Sequence, residues 1–91
     1  PRCHVWRMDM LRAAESVERQ SVDLVFHDAD HTTTGLMTAI RAWLPALRPG
    51  GIVAGHDYDM PSVRLALTGL CPTFRAEHDS TWWIPIEEVR A

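Results

Sequence analysis

The apolar and polar positions of the chain change period several times along its length. In "VDLVFHD" (22–28) three apolar residues, Leu24, Val25 and Phe26, run together between polar neighbours. A short continuous run of this kind predicts a strand buried on both faces, as in a parallel sheet. Leu36, Met37, Ile40, Trp43, Leu44 and Leu47 then recur at i, i+4, i+7 spacing, which predicts an amphipathic helix after the capping hydroxyls of Thr32, Thr33 and Thr34. Pro45 should end or kink that helix, and "RPGG" (48–51) is a stop and turn signal.

The same reading extends to both ends. "CHVWRM" (3–8) predicts a short strand, and "DMLRAAESVERQ" (9–20) a helix with Asp9 at its start. "GIVAGHD" (51–57) predicts another strand, with small residues where something approaches closely. "MPSVRLALTGL" (60–70) predicts a helix with Pro61 in its first turn, stopped by Gly69 and Pro72. "TFRAEHD" (73–79) and "TWWIPIEE" (81–88) predict a closing antiparallel hairpin around Asp79-Ser80. Trp82 and Trp83 alternate across its last strand, so at most one of them faces the core.

The order β-α-β-α-β-α-β-β specifies an α/β layered fold: a mostly parallel sheet with right-handed crossovers, closed by the hairpin. Ligands of such sheets bind beyond the carboxyl ends of the strands, where Asp9, "HDADH" and "GHDYD" all fall.

Composition narrows the function. At 91 residues, 46% hydrophobic and 23% charged, the chain is expected to form one folded α/β domain over 1–91. Its nine basic residues, all Arg, are scattered and the formal charge is −3, which argues against a nucleic-acid surface. Cys3 and Cys71 lack metal-finger spacing and read as two reduced thiols of a cytoplasmic protein. With no long apolar run and no leader, neither a membrane span nor a signal peptide is expected. The chain begins at Pro1 rather than Met, which leaves room for sequence upstream.

"DLVFHDADH" followed by "LRPGGIVAGHDY", with "STWWIPI" as a last strand, resembles the C-terminal half of a class I S-adenosylmethionine-dependent methyltransferase, in the O-methyltransferase branch of macrolide sugar and catechol-type enzymes. The resemblance implies a partial Rossmann-like sheet corresponding to strands three to seven of that fold. The family's opening strands, with a Gly-rich loop for the methionine part of the cofactor and an acid for its ribose, have no counterpart here, since no GxG occurs.

The resemblance also implies roles. Asp28 matches a metal-ligand Asp and His31 the general base three residues on; His56 and Asp57 match the second metal pair; Asp9 matches the position that accepts a hydrogen bond from the adenine amino group. Mg²⁺ favours oxygen ligands, whereas histidine at position 56 suits a softer divalent cation. An imidazole can take a proton from a substrate hydroxyl near neutral pH. The plainer alternatives are that Asp28 and Asp57 cap local turns and that Asp9 is an ordinary N-cap. Asp30 reads as a helix-start acid, His27 as a satisfied sheet-end histidine, and His4 and His78 carry no signal. Without the Gly-rich loop, the chain alone is expected to bind S-adenosylmethionine weakly and to lack turnover. Its uncovered sheet edge predicts a homodimer or a partner polypeptide supplying the complementary N-terminal half.

Overall fold

A computed structural model describes residues 2–90. Helix α1 (Met10–Ser16) leads to strand β1 (Val22–His27), helix α2 (Thr33–Trp43), a 3₁₀ turn (Leu44–Ala46) and strand β2 (Leu47–Gly55). Helix α3 (Pro61–Leu70) and the short strands β3 (Arg75–Ala76) and β4 (Trp82–Pro85) follow, and a second 3₁₀ turn spans Ile86–Glu88. The sheet order is β1-β2-β4-β3, with β1 and β2 parallel and the other two pairings antiparallel. The α/β architecture expected from the sequence is present as this four-stranded mixed sheet.

Local chemistry accounts for the helix boundaries. The Asp9 carboxylate accepts the N–H groups of Leu11 and Arg12, and the Thr32 hydroxyl accepts that of Gly35, each quenching donors that the first helical turn leaves free. Pro45 stops α2 at Trp43, and Pro61 opens α3, where its missing N–H costs nothing.

In register, Val25, Val53 and Ile84 share one face of the sheet, and His27, Gly55 and Trp82 lie in line with them. That face carries the core: Val53, Ile84 and Trp82 pack with Leu36 and Ile40 of α2 and Val63, Ala66, Leu67 and Leu70 of α3. Helix α1 packs on α2. Trp82 is fully buried while Trp83, on the opposite face, is half-buried, as the alternation requires.

Four expectations are corrected. Residues 3–8 form no strand: the outer edge of β1 has no ladder partner among the described residues, and Val5 and Trp6 are exposed. A strand needs a neighbour for its backbone groups, and none stands beside this segment. The helix predicted to reach residue 20 ends at Ser16, because the N–H groups of Gln20 and Ser21 are drawn to the carbonyls of Pro45 and Ala46. "RPGG" does turn, but inside β2 rather than before it. The pairing passes from Val22↔Leu47 to Leu24↔Ile52, so Arg48–Gly51 are squeezed out as a bulge, with Gly50 at φ 83°. Finally, β1 is not buried on both faces, since Leu24 and Phe26 are 56% and 55% exposed.

The cysteines match the thiol reading: Cys3 is exposed, Cys71 buried, and both are free. No helix is long and apolar enough to cross a membrane among the described residues.

Candidate functional site

Parallel pairing in register fixes the site. His27 ends β1 opposite Gly55, which ends β2, so the residues that follow, Asp28 and His56, leave the sheet side by side. Small residues make this approach possible. A Cβ on Gly55 would lie 2.3 Å from the Trp82 ring and 2.5 Å from the His27 carbonyl oxygen, so the indole occupies space that only glycine leaves open.

The loop after β1 is shaped by its own polar groups. His27 Nε2 is 3.0 Å from the Asp30 carbonyl oxygen, which satisfies this buried ring as expected. The Asp30 carboxylate accepts the N–H (2.9 Å) and hydroxyl (2.8 Å) of Thr32, and these bonds hold its pKa below the ordinary value. Asp30 is therefore part of the helix start, as the sequence suggests. The loop is tied to α3 where the Ser62 hydroxyl donates to the His31 carbonyl at 2.6 Å.

His31 then stands between two carboxylates. Its Nε2 is 2.8 Å from Asp57 Oδ2 and 3.3 Å from Asp28 Oδ1, with the His31 and Asp57 side chains about one-third exposed and Asp28 half-exposed. One ligand atom from each of Asp28, His31 and Asp57 lies within 4.8 Å of the others. Carboxylates only accept, so a neutral His31 carries its proton on Nε2, and its Nδ1 keeps the lone pair.

The structure thus brings together three of the five residues singled out in the sequence. His56 stands beside them with both ring nitrogens engaged: Nε2 donates to the Asp79 carbonyl at 2.7 Å, and Nδ1 lies 3.1 Å from Asp57 Oδ1. The Asp79 carbonyl, and after it the charges of Asp57 and Asp28, raise the His56 pKa above its usual value. Asp57 has a left-handed backbone, φ 65°.

Asp9 is separate from this cluster. It caps α1 through Oδ2 and borders a cavity of about 320 Å³ shared with Ala29, Asp30, Gly35, Thr38 and Ala39. The N-cap role is present, and Asp9 also borders a hollow whose lining includes Met10 and Leu11 beside the smaller Ala29, Gly35, Thr38 and Ala39.

Sequence reading placed a turn at Asp79-Ser80 but not the part its backbone plays at the site. Its carbonyls receive His56 Nε2 and the Tyr58 N–H, and the Trp82 indole N–H closes the frame on the His56 carbonyl. A backbone acceptor leaves no mark in a sequence.

A family model described as a methyltransferase domain matches residues 1–58, a span that contains Asp9, Asp28, His31, His56 and Asp57. Neither curated proteins nor solved structures match the chain.

Proposed function

This chain belongs to the methyltransferase domain family, and we propose that within it the 91 residues form the acceptor-activating part of an S-adenosylmethionine-dependent O-methyltransferase acting on a small-molecule hydroxyl. The observation that carries the proposal is the contact of His31 Nε2 with Asp57 at 2.8 Å, which leaves Nδ1 free to act as a base. The carboxylate fixes the tautomer and stabilises the imidazolium formed when Nδ1 takes the hydroxyl proton.

When bound, S-adenosylmethionine supplies an electrophilic sulfonium methyl, and S-adenosylhomocysteine leaves with the electron pair of the broken C–S bond. The residues present fit one end of it. Asp9 and the small side chains of Ala29 and Ala39 suit an adenine ring with its amino group toward the carboxylate. The Gly-rich loop for the methionine end is not among these 91 residues. We therefore propose weak cofactor binding and no turnover by the chain alone. The unpaired edge of β1 would be covered by a second copy or by a polypeptide supplying the complementary half.

A second reading is favoured by the 4.8 Å grouping of ligand atoms. Asp28 and Asp57 with His31 would hold a divalent cation, a mixed oxygen and nitrogen set suited to ions softer than Mg²⁺. Such a cation lowers the pKa of a coordinated hydroxyl. Bound there, it would need the His31 Nε2 lone pair and so leave the ring proton on Nδ1, and the two readings therefore exclude each other.

The test is a titration of the purified chain with catechol, followed through the ¹⁵N signals of the His31 ring with a chelator present. A shift of Nδ1 is expected; a ring that ignores catechol overturns the base reading. A parallel Mn²⁺ titration by electron paramagnetic resonance would favour the second reading if it found one bound ion that Asp28→Asn abolishes. Calorimetry with S-adenosylhomocysteine should show no micromolar binding, and micromolar binding would overturn the proposed weakness of the chain alone.

A further inference from the structure

We infer that Ser62 is a positioning residue, whose hydroxyl sets the distance across which His31 meets the Asp57 carboxylate. The inference rests on the reading of His31 as a base held by Asp57.

His31 and Asp57 come from separate segments, the loop between β1 and α2 and the loop between β2 and α3. Each segment is stiffened by bonds of its own. In the first, His27 Nε2 meets the Asp30 carbonyl, and the Asp30 carboxylate accepts the N–H and hydroxyl of Thr32. In the second, the Met60 N–H donates to the Asp57 carbonyl and the Arg64 N–H to the Met60 carbonyl, each at 3.0 Å. Ser62, in the first turn of α3, is therefore carried on the same braced stretch as Asp57. None of these local bonds relates one segment to the other.

Two hydroxyls do. That of Ser62 donates to the His31 carbonyl at 2.6 Å, and that of Thr33 donates back to the Ser62 carbonyl at 2.8 Å. Both bonds are partly buried, where reduced access of water strengthens them, and together they stitch the first turn of α2 to the first turn of α3. The two helices also share one apolar core, but apolar contact is non-directional and permits small slides that a hydrogen bond resists. Among the described residues, the remaining polar link between the segments is the His31–Asp57 contact itself. A displacement of about 1 Å in a positioned group can cost on the order of a hundredfold in rate. Ser62 restrains that displacement through the main chain of His31, without touching its ring.

Asp28 supplies an internal reference. It contacts His31 Nε2 at 3.3 Å from the same loop, so it moves with His31 when the loop moves, whereas Asp57 does not.

The test measures nuclear Overhauser contacts from the His31 ring protons to the β protons of Asp57 and of Asp28, on the whole chain with a chelator present. Wild type is expected to show both. Ser62→Ala should weaken the Asp57 contact several-fold relative to the Asp28 contact, and Ser62→Thr, which keeps the hydroxyl, should restore it. Thr33→Val, which removes the returning bond, should give a smaller loss in the same direction. An unchanged ratio in Ser62→Ala, an equal weakening of both contacts, or a Ser62→Thr protein that behaves like Ser62→Ala overturns the inference. Should Ser62→Ala fail to fold, Thr33→Val decides: a selective loss of the Asp57 contact supports the inference and an unchanged ratio overturns it. A wild type without the Asp57 contact overturns the pairing and the inference together. A wild-type ring that keeps the contact but ignores catechol fails the base reading, while the variants still report whether Ser62 holds the pair.

Discussion

Strands β1 and β2 lie side by side in the same direction and carry similar apolar runs, "LVF" and "IVA", yet they meet different fates. In β2, Val53 and Ala54 are 1% and 6% exposed; in β1, their partners Val25 and Phe26 are half-buried and 55% exposed. The difference lies in the neighbours. Strand β2 has a strand on either side, β1 and β4, whereas β1 has one paired edge among the described residues. An apolar run reports the capacity of a strand to be buried, and the surrounding layers decide whether that capacity is used.

The comparison can be pressed first where it is strongest. Ile84→Ala, at a fully buried position facing β2, should cost about 2–5 kcal/mol in denaturant unfolding through the cavity it leaves. Gly55→Ala, at the end of β2, should cost about 1–3 kcal/mol, since its methyl meets the Trp82 ring and a backbone carbonyl that cannot withdraw. Phe26→Asp on β1 should change the stability of an isolated monomer by no more than about 0.5 kcal/mol. The same substitution should lower the dimer fraction measured by light scattering, where the wild type is expected at twice the chain mass. A wild type that stays monomeric at micromolar concentration would mean that the exposed face of β1 is simply solvated.

The smallest effect is electrostatic and lies at the other edge of the sheet. The Arg75 guanidinium beside Glu88 holds that carboxyl below its ordinary pKa. A lowered folded-state pKa contributes stability above the unfolded value of about 4.3, which is lost as pH falls through the folded value. Glu88→Gln should therefore be slightly less stable than wild type near neutrality, and thermal melts of the two should converge in acid.

Sequence reading served the two regions unequally. At the boundaries of α2 and α3 it succeeded, because Thr32, Pro45 and Pro61 act locally and leave a residue-level signature, whereas β2 begins at Leu47, ahead of the turn signal expected to precede it. The apolar pattern marked the strand ends that Asp28, His31 and Asp57 follow, and the family resemblance singled these residues out there; the structure brings the three together. At β1 and residues 3–8 it failed, because burial and pairing there depend on a neighbour that local pattern does not encode. The direction of the His56 ring was equally out of reach: the acceptor that turns it is the main chain of Asp79, 23 positions further on.

That dependence has a consequence for anyone rebuilding the molecule. Exposed hairpin tips are ordinarily the places where a chain tolerates a graft, a nick or a relocated terminus. The tip at Asp79-Ser80 is different, because its carbonyls receive the His56 ring and the Tyr58 N–H, and Ser80 adopts φ 69° to offer them. A tag or circular-permutation break inserted there would leave the helices and the core standing while it loosened the backbone on which Asp57 rests.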